Sequence, residues 1–131
     1  MKKLPTSHLD LLTGTNVAVL STVSSDCYPH NTTALFLLDD DGRVKISAPG
    51  PRRQSTPTAR KYKGNVFIHD PINAGRYIEI HADFEELDDP DAAFEQRVGT
   101  KYGIRNVRAS DPAEASRLIL VANPVQITAI G

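Results

Sequence analysis

The chain has 131 residues, 40% hydrophobic and 24% charged, with fifteen Lys and Arg against sixteen Asp and Glu for a formal charge of -1. That length and composition predict one compact domain over residues 1–131, and they are unlike those of disordered chains. Balanced charge leaves no global field to draw in nucleic acid, and the longest apolar run, residues 17–20, is far short of a membrane span, so neither is an expected partner.

In chain order, Ser7 is placed to cap a short helix through Leu9, Leu11 and Leu12, with Gly14 as a left-handed stop, giving a lid or packing helix. Residues 17–23 read as a buried strand, 24–29 as a turn and 30–38 as a second strand, which together make a hairpin. Asp39 to Gly42 is a tight reversal, and residues 43–47 form a third strand with Val44 and Ile46 alternating. Pro49, Gly50 and Pro51 end that strand, and a short helix follows with Thr56 as its N-cap, Pro57 at its first position and Gly64 as its stop. A brief strand at 66–69, a loop at 70–75 and a long strand at 76–87 come next, with Ile78, Ile80, Ala82 and Phe84 on one face. Asp88, Asp89 and Pro90 start a helix that runs to about Tyr102 and stops at Gly103. Residues 117–122 and 125–130, divided by Asn123 and Pro124, are read as two closing strands. The predicted fold is mainly β, a six- to seven-stranded antiparallel barrel with about three short helices over its ends.

The sharpest local charge feature is Arg52, Arg53, Arg60, Lys61 and Lys63, five cations with no acid between them. Guanidinium donors ahead of a helix start, with the Ser55 and Thr56 hydroxyls and free amide protons, can converge on a phosphate. The alternative is a solvated face balancing the acidic stretch at 79–95. Glu79, His81 and Asp83 alternate onto one strand face, but His8, His30, His69 and His81 form no recognised metal pattern, so no metal is expected. Cys27, the only cysteine, has no intramolecular disulfide partner and reads as an incidental exposed thiol. With residues 1–5 leading into an amphipathic stretch rather than a secretory segment, it points to a reducing cytoplasm. Glycine-rich nucleotide loops, nucleophile elbows and Walker patterns are missing, so any chemistry is expected to reside in a cofactor.

Several stretches together resemble the pyridoxamine 5'-phosphate oxidase-like FMN-binding split-barrel family, in particular its branch using the deazaflavin coenzyme F-420. They are NVAVLSTVSSDCYPHNTTALF, VKISAPGPRRQ, VFIHDPINAGRYIEIHADFEELDDP and LILVANPVQITAI, carrying a Pro-His strand, a Ser-x-Pro-x-x-Arg-Arg loop and a Tyr-x-Glu strand in series. The resemblance implies a split β-barrel, a homodimer, and coenzyme F-420 or alternatively FMN held at the subunit interface. It implies that Asn31, Thr32 and Thr33 lie beside the ring system, that Ser47 and Ala48 border it, and that Arg52 and Arg53, with Gln54 and Ser55, meet its phosphate; Asn73 and Tyr77 are further cofactor candidates. The family's basic loop usually continues Arg-x-Lys followed by Asn-Leu, whereas here Gln54 stands for the lysine and Pro57-Thr58 for the Asn-Leu pair. The expected activity is hydride transfer from the deazaflavin to a planar unsaturated small molecule, with His30 or Tyr77 as candidate proton donors. The alternatives are an FMN-dependent oxidase or reductase of the pyridoxamine 5'-phosphate oxidase type, and a non-catalytic, cofactor-free split-barrel binding protein.

Overall fold

Period-two alternation and short turns give six strands, and the computed structural model closes them into one antiparallel barrel; it describes residues 2–50, 61–89, 91–104 and 116–131. The strands are β1 (Ala18–Val23), β2 (Pro29–Leu38), β3 (Val44–Gly50), β4 (Lys61–His69), β5 (Tyr77–Asp88) and β6 (Ser116–Ile130). Their spatial order is β1, β2, β3, β6, β5, β4, with β4 pairing back onto β1. Among the described residues the helical part is a 3-10 turn, Thr6–His8, running into α1 (Leu9–Thr13), and the longer α2 (Ala93–Tyr102). None of these helices is long and apolar enough to cross a membrane.

The barrel interior is filled by the inward-facing set of each strand, with Phe36, Ile46, Val66, Ile68, Ile78 and Ile80 fully buried. Each such side chain stabilises the fold by roughly 1.5–3 kcal/mol relative to exposure. The expected inner face of β5 is present, since Ile78, Ile80, Ala82 and Phe84 all belong to this core. Leu11 and Leu12 of α1 join the same core, so the expected packing helix is real. Arg76 fixes α1 to the sheet by donating to both carboxylate oxygens of Asp10, at 2.7 and 2.8 Å, and to the Ser7 carbonyl at 2.9 Å. Buried His8 adds a bond from Nε2 to the Ile130 carbonyl at 2.9 Å, which leaves Nδ1 to accept from the Ser7 hydroxyl.

Several local expectations are corrected. Ser7 does not cap α1, because its hydroxyl is engaged by His8, and Gly14 ends the helix in extended geometry at φ -75° rather than left-handed. Gly64 is not a helix stop but a residue of β4, where a Cβ would sit 2.7 Å from the Phe84 ring and 3.0 Å from the Ser21 carbonyl oxygen. The rest of the predicted 56–64 helix, including its Thr56 cap, lies outside the described residues. β6 is one strand through Asn123 and Pro124, because the ladder slips there: Ala82 pairs with Pro124 and His81 with Gln126, leaving Val125 as an extra residue. A bulge is a place where a strand accepts a proline that donates no amide proton.

The helix after β5 starts at Ala93 rather than at residues 88–90. Asp89 serves it from upstream, accepting the amides of Phe94 at 3.1 Å and Glu95 at 2.9 Å, and Gly103 ends it at φ 68° as expected. α2 lies against β2 beyond the end of β1. There the Tyr102 hydroxyl receives the Phe36 amide at 3.3 Å and Lys101 Nζ donates to the Phe36 carbonyl at 2.8 Å, so side chains replace the missing strand. Arg97 ties the same helix to the β2–β3 turn through Asp39 at 2.9 Å.

The barrel is split on one side for a backbone reason. β2 pairs with β1 through Pro29 to Ala34 and with β3 only through Leu35 to Leu38, against Val44 to Ser47. The remainder of β3 stays hydrogen-bonded to β6 through Gly50 but has no β2 partner. The two strands diverge from Ser47 onward and leave a gap in the wall.

Candidate functional site

That gap opens into a cleft of about 810 Å³, within the range of small-molecule sites. β2 contributes Thr32 and Thr33 from its half that β3 does not cover, and β3 contributes Ser47, Ala48 and Pro49. The floor is apolar, with Leu20, Leu118 and Leu120, and Tyr62 closes one side, stacked on Phe84 with ring centroids 5.6 Å apart. The composition is that of a ligand cleft: an apolar surface with a few placed polar groups.

The polar groups are unevenly satisfied. Ser47 is only 5% exposed and its Oγ has no hydrogen-bond partner, although its carbonyl accepts from buried Arg117 at 3.2 Å. A buried hydroxyl without a partner costs about 1–3 kcal/mol, so a ligand atom that satisfied it would recover that penalty. Glu86 also lines the cleft and is 8% exposed, a carboxylate standing in the inward register of β5 two residues after Phe84.

Of the residues singled out in the sequence, Thr32, Thr33, Ser47 and Ala48 come together here. Asn31, next to Thr32 on β2, is not among the cleft residues, and its Oδ1 accepts from the Ser21 hydroxyl. Asn73 and Tyr77 sit at the opposite end of the barrel: Asn73 closes the β4–β5 turn through the Gly75 amide, and Tyr77 packs on Phe67 with centroids 5.2 Å apart. Arg52, Arg53, Gln54 and Ser55 lie outside the described residues, as does Arg60. Lys63, grouped with them in the sequence, belongs instead to the outer face of β4, 88% exposed and paired with Asp83 at 3.2 Å. The rest of the acidic row is engaged as well, because Glu79 pairs with His81. Cys27 is exposed in the β1–β2 turn with φ 64°.

Sequence reasoning missed Ser24, Tyr62, Glu86 and Leu118 as cleft residues. Glu86 had left a signal, since it continues the apolar series 78, 80, 82, 84 with a carboxylate. The other three depend on which strands diverge, which no local pattern states.

No protein-family model and no curated protein matches the chain. Solved structures do. The chain is similar to an F-420 reductase, 24% identical over 95% of this chain and 98% of that one, with a TM-score of 0.73. It is also similar to a putative pyridoxamine 5'-phosphate oxidase from Listeria innocua, at 21% identity over 95% and 94% with a TM-score of 0.59. A third is HutZ, the heme storage protein from Vibrio cholerae, at 12% identity over 99% and 96% with a TM-score of 0.61. At these identities the likeness establishes the split-barrel fold, which is the fold the sequence resembles.

Proposed function

We propose that this chain is an oxidoreductase that holds a deazaflavin, coenzyme F-420, in the cleft between β2 and β3 and reduces a planar unsaturated small molecule. The observation that carries this reading is the cleft of about 810 Å³ that Thr32, Thr33, Ser47 and Ala48 line together, with the buried Ser47 hydroxyl left without a partner. Beside it Thr32, Thr33 and Ala48 offer hydroxyl groups and a small side chain to the edge of a flat ring. When bound, the deazaflavin supplies hydride chemistry; the chain's own groups bind, orient and exclude water.

Arg52 and Arg53 follow β3 in the chain two and three residues after Gly50, which suits them to the anionic tail. Asn73 and Tyr77 lie at the far end of the barrel, and the proposal has them serve this cleft from a second copy, in a homodimer and a cytoplasmic setting. Gln54 where a lysine is usual removes one charge-assisted bond, about 1.5–3 kcal/mol, which bears on whether F-420, FMN or neither is held.

The test is a titration of the protein with F-420 and with FMN, followed by cofactor fluorescence and by melting temperature. F-420 binding that raises the melting temperature and weakens at least tenfold in Arg52→Ala/Arg53→Ala supports the proposal. Tight FMN binding with none for F-420 moves the activity to an FMN-dependent oxidase or reductase. Indifference to both leaves a cofactor-free binding protein and refutes the oxidoreductase.

A further inference from the structure

The β1–β2 hairpin holds a group of polar side chains beside the same cleft. Ser24 lines the cleft next to Thr22 and Val23. His30 stands across from it on β2, opposite Thr22 in register and two residues before Thr32, hence on the strand face that Thr32 presents. The Ser24 hydroxyl donates to Asp26 Oδ1 at 2.8 Å and lies 3.0 Å from His30 Nε2, and Nε2 lies 3.2 Å from the same Asp26 oxygen.

We propose that Ser24, His30 and Asp26 form a proton relay that supplies the proton accompanying each hydride delivered in this cleft, an assignment that rests on the reductase reading above. Reducing a C=C or C=N bond needs two electrons and two hydrogen nuclei. The hydride, carrying both electrons, joins one atom of the double bond and comes from the reduced deazaflavin or flavin, which ends two electrons oxidised. The π pair of the bond then takes the Ser24 Oγ proton at the other atom. Ser24 recovers a proton from His30 Nε2, and the imidazole reloads from water.

Each partner is placed for its part. Ser24 lines the cleft, while the side chains of His30 and Asp26 are each 51% exposed and open to proton exchange with solvent. Asp26 is fixed in the turn by the Tyr28 amide at 2.9 Å. That bond, the Ser24 hydroxyl and His30 hold its carboxyl below the usual range, so it stays ionised beside the imidazole. Cys27 adopts a left-handed conformation with its amide on the Ser24 carbonyl at 3.0 Å, and so keeps Ser24 and Asp26 facing each other across the turn. The other titratable groups lining the cleft among the described residues are Tyr62 and Glu86, and neither bonds to Ser24 or His30 in the contacts that define this group.

Three measurements on the full-length chain test it. First, F-420 and FMN are titrated into wild type, His30→Ala and Ser24→Ala; the relay predicts affinities within about twofold of one another. Second, free and cofactor-loaded wild type are treated with diethyl pyrocarbonate and mapped by mass spectrometry, where bound cofactor should slow modification of His30 several-fold. Third, menadione and 2-cyclohexen-1-one are offered to the reduced holoprotein; His30→Ala and Ser24→Ala should lower kcat by about 100-fold with little change in KM, and added imidazole should restore His30→Ala. Equal His30 reactivity with and without cofactor, kcat within twofold of wild type, or a loss that imidazole does not restore would overturn the relay while leaving the reductase intact. Failure of wild type to bind either cofactor, or to reduce either acceptor once loaded, overturns the reductase and the relay with it.

Discussion

Gly64→Ala puts the packing beside the cleft to a quantitative test. The added Cβ would lie 2.7 Å from Phe84 Cε2 and 3.0 Å from the Ser21 carbonyl oxygen. Neither neighbour gives way easily: Ser21 belongs to the β1 backbone, paired with Asn65 of β4, and Phe84 is 1% exposed with Tyr62 stacked on it. Overpacking of this kind costs about 1–3 kcal/mol, against about 0.4–1 kcal/mol recovered because alanine restricts the unfolded chain, so a net loss of roughly 1–2 kcal/mol is expected. Phe84→Leu, which removes the contacting ring edge, should cost about 1 kcal/mol alone. Combining the two relieves the clash, and the double variant should be more stable than additivity predicts by about 1 kcal/mol. Urea unfolding followed by circular dichroism measures all four corners of this cycle. A Gly64→Ala protein within about 0.5 kcal/mol of wild type, or strict additivity with Phe84→Leu, would show that the close approach of β4 to Phe84 is not what selects glycine.

Ser47→Ala should raise the melting temperature of the free protein, because it removes a buried hydroxyl without a partner, and should weaken F-420 several-fold by cofactor fluorescence. The Arg76 guanidinium holds the Asp10 carboxyl at about 2, down from 3.8, so that pair's stabilisation is complete above pH 3.8 and disappears as pH falls towards 2. Melting curves across that interval should fall less steeply for Asp10→Asn than for wild type. Burial lowers the Lys101 ammonium from 10.5 to about 8, so between those values the unfolded chain binds more protons than the folded one and stability should rise with pH from 8 towards 10. Lys101→Met should abolish that rise in melting temperature.

The inward face was legible where period two held: the β5 series of Ile78, Ile80, Ala82 and Phe84 projected its burial directly. Local turn chemistry was equally readable at Gly42 and Gly103, both left-handed at φ 80° and 68°. It failed at Gly64 and Pro124 for one reason. A glycine selected by an approaching ring and a proline lodged in a bulge look like breakers until the neighbouring strand is known. Thr32, Thr33, Ser47 and Ala48, which the resemblance names as cofactor residues, line the cleft, while Ser24, Tyr62 and Leu118 reach it from three other strand ends that only the tertiary fold brings together.

The cleft follows from unequal pairing rather than from any particular side chain. β2 pairs with β1 through Pro29 to Ala34 along one edge and with β3 only through Leu35 to Leu38 along the other, so past Ser47 β3 runs on without a β2 partner. The gap is thus set by backbone pairing, independently of what the chain binds. Specificity must then lie in the residues that face the gap. Among the described residues those include Ser47, the buried carboxylate of Glu86, and Ser24, whose hydroxyl bonds to Asp26 and lies beside His30. Substitutions that keep the strand offset should therefore change ligand and rate while leaving the fold in place, whereas lengthening the β2–β3 ladder beyond Leu35 and Ser47 should close the cleft itself.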